Sequence, residues 1–200
     1  DSVASRGLGD VYKRQEEGVY YANHVVNPYF YEGMKSYIYE TFEQLGRIPE
    51  HVIVPVGNGT LYIGVMKALE HLLESGAIDH FPKVIALQSE LCDPLYEAVQ
   101  QGKDDAVAVD VKPTIAEGIA IGKPLRAKEI LAYAKKHDVT FITAPENRLL
   151  AWREAMAKKG FYIEHTTAAN FAAWEKYCAE HPGATDVLIT LCGAGIKSDH

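Results

Sequence analysis

The feature that most constrains the fold of this chain is a regular alternation, from residue 18 onward, of short apolar runs with helical segments punctuated at both ends. The runs at residues 51–56 (HVIVPV), 83–88 (KVIALQ), 139–143 (VTFIT) and 187–191 (VLITL) are strand length and nearly continuous in apolar character. That pattern predicts strands covered on both faces, as in a parallel sheet. Residues 18–22 (GVYYA) read as a further strand and residues 161–164 as a very short one. Between them, Asn27-Pro28 supplies an N-cap and a first-turn proline for a helix that Gly46 closes. Residues 61–75 form a helix ended by Gly76, and Asp93-Pro94 repeats the cap for a short helix ended by Gly102. Further helices span residues 124–136, the stretch from Pro145-Glu146 to Lys158-Lys159-Gly160, and a segment capped by Thr166 or Thr167 that runs to about residue 180. Residues 106–111 fit an edge strand or a loop equally, and residues 113–122 are irregular in part. The expected fold class is α/β, a three-layer open, mostly parallel sheet flanked by helices, with no internal repeat or linker.

Composition narrows the function. With 48% apolar and 10% aromatic residues the chain can bury one core, and a formal charge of -7 with scattered lysines argues against a nucleic-acid partner. Cys92, Cys178 and Cys192 are odd in number and far apart, in neither a disulfide nor a zinc spacing, so no metal is expected and a reducing cytoplasm is the default compartment. No apolar stretch approaches the ~20 residues of a membrane helix, so no membrane partner is expected. Residues 1–15 (DSVASRGLGDVYKRQ) have no clear period and read as an adaptor-like, non-native leader, with the protein proper starting near Glu16.

The run at residues 51–56 leads directly into Gly57-Asn58-Gly59-Thr60 and then a helix. A glycine loop at the carboxyl end of a strand and the N-terminus of a helix can present backbone N–H groups to an oxyanion without a lysine. A GxGxxG dinucleotide loop would need glycine at Tyr62, and a Walker loop beginning at Gly59 would need lysine at Val65. Neither is present. The loop alone leaves open a phosphate site or an ordinary strand-to-helix turn.

Six segments in register extend the reading. They are Asn23-His24 with Asn27-Pro28-Tyr29, the glycine loop, Gln88-Ser89-Glu90 with Cys92 and Pro94, Glu117-Gly118, Gly160-Phe161 through Glu164-His165-Thr166-Thr167, and Cys192-Gly193-Ala194-Gly195. In this order the chain resembles the threonine synthase family of fold-type II pyridoxal-phosphate enzymes, over about residues 18–197. The resemblance implies pyridoxal 5'-phosphate as cofactor, a small amino-acid substrate and a homodimer. It implies a phosphate cup of Gly57, Asn58, Gly59, Thr60 and the amide of Leu61, with Cys192 where the family places a hydroxyl against the pyridine nitrogen. A neutral group there leaves the ring largely unprotonated, which suits β-elimination and β-replacement. Cysteine departs from the threonine synthase pattern and fits some serine dehydratases; a buried core role for Cys192, or Thr190 in its place, stays open. Glu117 and Glu164 fall in segments that border the family's cleft, and His165 stands where the family prefers proline or a small residue.

The family's Schiff-base lysine lies in an early serine/threonine-rich stretch that has no counterpart here. Lys35 falls in the first helix by register and reads as a solvated residue, and Lys197 as a surface lysine near the end. The resemblance therefore makes residues 16–200 the C-terminal part of the cofactor-binding domain, inactive alone. The alternatives are a serine/threonine dehydratase or diaminopropionate ammonia-lyase and, from another class, a Rossmann-type nucleotide module using Glu90 on a ribose.

Overall fold

The computed structural model describes residues 18, 20 and 22–198, with side chains to residue 196. The leader expected over residues 1–15 lies outside them. The strand expected at residues 18–22 lies partly outside; Gly18 is in a turn with φ +83°, and Tyr20 and Ala22 are in no strand.

Four parallel strands form one sheet in the order β3-β2-β1-β4: β1 (His51–Pro55), β2 (Lys83–Ser89), β3 (Thr140–Ala144) and β4 (Val187–Ile189). Registers run His51 opposite Lys83 and Val187, and Ile85 opposite Thr140. The helices are α1 (Pro28–Met34), α2 (Ser36–Leu45), α3 (Thr60–Glu74), α4 (Pro94–Gln100), α5 (Ala127–Lys136), α6 (Leu149–Lys158) and α7 (His165–Glu180).

The continuous apolar runs have the consequence expected of them. Successive side chains on a strand point to opposite faces, so Val52, Val54, Val84, Ala86 and Phe141 enter one core with α1 to α5, and Ile53, Ile85, Leu87 and Ile142 enter a second with α6 and α7. Helices therefore cover both faces, and the three-layer α/β class holds.

Local signals set most boundaries. The Asn27 side chain accepts the Tyr29 N–H at 3.0 Å, Pro28 occupies the first turn, and Gly46 closes α2 at φ +68°. The helix expected from residue 28 to Gly46 is interrupted at Lys35, whose N–H bonds the Glu32 carbonyl three residues back while the Ser36 hydroxyl takes that of Gly33. Residues 106–111 are loop, and a 3₁₀ turn (Glu117–Ile119) lies within the irregular stretch. The short strand expected at residues 161–164 does not form; it is reduced to one antiparallel bridge, Ile163 with Ala194, because α6 and α7 leave no neighbouring strand to extend it. Neither Thr166 nor Thr167 caps α7: its N-cap is Glu164, and both hydroxyls bond outward to neighbouring loops.

Candidate active site

The carboxyl ends of parallel strands, where chain segments diverge, are where sheets of this type bind ligands. At that edge β1 exits through Val56, whose N–H still reaches the Leu87 carbonyl at 2.9 Å, and the chain turns through residues 57–59 into α3. A cleft of about 250 Å³ opens there. A larger, open groove of about 850 Å³ lies between residues 103–107 and α5, but none of its lining residues comes from the glycine loop or from a strand end, so position rather than volume identifies the candidate.

Gly57, Asn58, Gly59, Thr60 and Leu61 form one wall of the cleft and Cys192 belongs to the opposite side. The structure thus brings together all six residues singled out by the sequence. Both glycines are demanded sterically. Gly59 has φ +85°, and a Cβ there would stand 2.4 Å from Ile130 Cδ1; a Cβ on Gly57 would stand 2.8 Å from the Gly118 carbonyl oxygen. No N–H of residues 57–61 donates to a backbone carbonyl among the described residues, and the hydroxyl of Thr60 is buried without a partner. These orphan donors sit at the N-terminus of a fifteen-residue helix, where the macrodipole contributes about half a positive charge. Among the described residues no lysine or arginine lines the cleft. An anion held here is held by amides, a hydroxyl and the helix dipole.

Sequence reasoning assigned His24, Gly118, Ile119 and Thr166 no part in a binding site, yet all line the cleft. Thr166, from the first turn of α7, accepts the Gly118 N–H at 3.1 Å and so closes residues 117–119 against the glycine loop. The available signal was that these residues fall inside the segments noted for their order; their convergence depends on the packing of α7. Glu164 also lines the cleft, its carboxylate packed where a Cβ on Gly193 would meet it at 2.7 Å. Glu117 lies on the exposed 3₁₀ turn beside the lining residues. His165 takes the first position of α7, where the family's proline also suits a helix.

Of Cys192 and Thr190, Cys192 is the one that lines the cleft. Thr190 is buried, with its hydroxyl 3.1 Å from the Tyr37 hydroxyl and 3.4 Å from the Ile53 carbonyl, whereas Cys192 faces the cleft. Burial beneath this contact pushes the Tyr37 phenol up to about 12. The Cys192 side chain is accessible from the mouth but walled by protein elsewhere. That desolvation, opposed by a hydrogen bond from Asn170 and reinforced by the Glu164 carboxylate, pushes its thiol up to about 11, so it is neutral at pH 7.

Of the lysines considered earlier, Lys35 does not line the cleft. Lys35 is not a solvated residue: it is folded onto Glu32, with its side chain only 12% exposed, because Glu32 sits between it and Lys67. Lys197 belongs to the last 3₁₀ turn (Gly195–Ser198), its side chain outside the described residues. Glu90, the acid a nucleotide module would place on a ribose, instead accepts the Glu146 N–H at 2.8 Å. Gly64, too late for a dinucleotide loop, serves helix packing, since a Cβ there would lie 2.4 Å from Met34 Cβ.

Residues 5–193 match the model of a family described as pyridoxal-phosphate dependent enzyme. The threonine synthase of Methanocaldococcus jannaschii is 29% identical over 188 residues, 91% of this chain and 46% of that protein. The threonine synthase of Methanosarcina acetivorans is 28% identical over 163 residues, 80% of this chain and 40% of that protein. The chain thus spans less than half the length of these curated relatives. Among solved structures, an L-serine ammonia-lyase from the fungus Rhizomucor miehei superimposes with a TM-score of 0.66 at 21% identity, covering 80% of this chain and 51% of that one. That likeness is one of fold, the α/β fold of fold-type II pyridoxal-phosphate enzymes.

Proposed function

The chain belongs to the pyridoxal-phosphate dependent enzyme family, and on that premise we propose that it is the C-terminal part of a threonine synthase-like enzyme, which converts O-phosphohomoserine to threonine and phosphate. The observation that carries the reading is one wall of the cleft: among the described residues the amides of residues 57–61 have no backbone acceptor and the buried Thr60 hydroxyl has no partner, and these residues line the same space as Cys192. Buried donors without acceptors are rare and costly, and a phosphate satisfies all of them at once. The residues present therefore suit this cofactor.

In this reading Gly57, Asn58, Gly59, Thr60 and Leu61 hold the cofactor phosphate, and the Cys192 thiol donates to its ring nitrogen. When bound, the cofactor supplies the electron sink for carbanion formation at the substrate. The part of Cys192 is to stay neutral: a thiol pushed up to about 11 would donate a hydrogen bond to a ring nitrogen placed there without giving up its proton. Glu164, beside Gly193, adds negative charge at the same end and opposes ionisation of the thiol. Thr166 holds residues 117–119 over the glycine loop and narrows access of water from that side.

Cys192 favours one second reading, a serine/threonine dehydratase or diaminopropionate ammonia-lyase type of lyase, since a neutral ring nitrogen serves β-elimination equally. Both readings concern a small amino-acid substrate and a cytoplasmic homodimer, and both place the cofactor's lysine outside this polypeptide. The purified chain is expected to bind pyridoxal phosphate reversibly, seen as cofactor absorbance and quenching of Trp152 and Trp174 fluorescence. Thr60→Val should weaken that binding about tenfold, the value of one charge-assisted hydrogen bond of ~1.5 kcal/mol. No phosphate should be released from O-phosphohomoserine. A cofactor fixed by borohydride to a lysine of this chain, or equal affinity in Thr60→Val, would overturn the reading; higher affinity for NAD would displace its class.

A further inference from the structure

We infer that Asn170 is a positioning residue for Cys192, holding the sulfur at the cleft wall by donating one amide proton to the backbone that carries it and the other to the sulfur itself. Its catalytic meaning rests on the proposed cofactor site; its geometry does not. Asn170 is fully buried on α7, among residues (Ala169, Ala172 and Ala173) whose packing calls for no polarity. Its Nδ2 lies 2.6 Å from the Thr190 carbonyl and 3.8 Å from Cys192 Sγ. One turn earlier on the same helix, the Thr167 hydroxyl accepts the N–H groups of Cys192 and Gly193 at 3.1 and 3.2 Å. The segment that leaves β4 is thus gripped on both sides of Cys192 from one helix face.

A second observation gives the amide its direction. Asn170 Oδ1 is buried and has no hydrogen-bond partner among the described residues. A flipped amide would set that oxygen against the Thr190 carbonyl at 2.6 Å, oxygen facing oxygen, so the nitrogen is held inward although the oxygen goes unsatisfied. An asparagine kept under that penalty serves the groups its nitrogen touches. The sulfur accepts from Asn170 and keeps its own proton, for which the Thr190 carbonyl, 3.9 Å away and already engaged by Asn170, is a poor acceptor. The thiol proton is therefore available to an acceptor in the cleft. The other charged or titratable groups facing Cys192 are Glu164, at the start of α7, and Tyr37, on α2 behind Thr190.

The test is the pH dependence of Cys192 alkylation by iodoacetamide in the full chain, followed peptide by peptide by mass spectrometry from about pH 7 to pH 10, where the rate rises with the thiolate fraction and a change of midpoint is read as a displacement of that limb along the pH axis. Wild type is compared with Asn170→Leu, which approximates the shape without charge or donor, and with Asn170→Ala; Cys178 is the internal reference, and far-UV circular dichroism monitors the fold. Loss of the donor raises the Cys192 midpoint, more in Asn170→Leu, which admits no water in its place, than in Asn170→Ala, and lowers the rate at pH 9 at least about threefold, because the thiolate is the reacting form. Cys178 is unchanged. A purely structural asparagine would change stability and leave the midpoint where it was. An unmoved midpoint in a folded variant of either kind overturns the inference. Repeating the alkylation with pyridoxal phosphate separates the two readings: a shifted midpoint without cofactor protection of Cys192 supports the positioning role and refutes the cofactor site.

Discussion

Substitution of Gly59 by alanine isolates what the glycine loop requires of its sequence. Two costs are expected. The backbone at φ +85° is left-handed, a conformation that costs an alanine about 1–2 kcal/mol. The new methyl would also stand 2.4 Å from Cδ1 and 2.7 Å from Cγ1 of Ile130, a fully buried side chain of the α3–α5 core. Making room there resembles overpacking of a core and costs about 1–3 kcal/mol more. Gly46 calibrates the first cost by itself, because it has φ +68° and nothing within 4 Å of its would-be Cβ. Urea unfolding followed by far-UV circular dichroism gives both numbers from the midpoints when the m-value is unchanged. Gly46→Ala should cost about 1 kcal/mol and Gly59→Ala about 2–5 kcal/mol. Ile130→Val removes the Cδ1 that lies nearest the new methyl, so the double variant should recover about 1 kcal/mol or more of coupling. If Gly59→Ala costs no more than Gly46→Ala, or if the cycle shows no coupling, the packing of the loop against α5 has been misread.

Gly64→Ala should destabilise by about 2 kcal/mol or more, since its methyl would meet Met34 Cβ at 2.4 Å and the Tyr31 carbonyl at 2.9 Å, backbone and Cβ atoms that cannot swing aside; thermal unfolding checks it. Acid should weaken the fold through two carboxylates. Arg47, with the Glu50 N–H, lowers Asp186 from an ordinary 3.8 to about 2, and Lys35, with Lys67, lowers Glu32 from 4.5 to about 2. A depressed folded value stabilises above the unfolded value and is lost as pH falls through the folded one. The loss should fall between about pH 5 and pH 2, and the double variant Glu32→Gln, Asp186→Asn should flatten that limb of the unfolding profile. An unchanged limb would show that these exposed pairs contribute nothing.

Some of this was legible residue by residue. Continuous apolar runs at residues 51–56 and 83–88 announce strands covered on both faces, since an alternating pattern would leave one face wet. Asn27-Pro28, Gly46 and Gly76 mark helix ends because caps and left-handed turns are local chemistry. Other features were not readable this way. The helix expected from Pro124 begins three residues later, at Ala127, and the run at residues 161–164 has good strand residues but no strand beside it. Strand formation is a pairing event, and pairing is not a property of one segment.

The same division applies to the cleft. By itself the sequence determined that residues 57–60 join a strand to a helix through glycines, that the spacing excludes the common nucleotide loops, and that Cys192 or Thr190 lies near the last strand's end. Only the tertiary structure decided which of those two faces the cleft, brought Thr166 onto residues 117–119, and set Asn170 beside the sulfur of Cys192. The physical reason is distance along the chain. Turn and cap chemistry acts within a few residues, whereas these contacts join segments 22 to 48 positions apart, and they exist only because α7 packs on one face of the sheet with its first turns at the carboxyl edge.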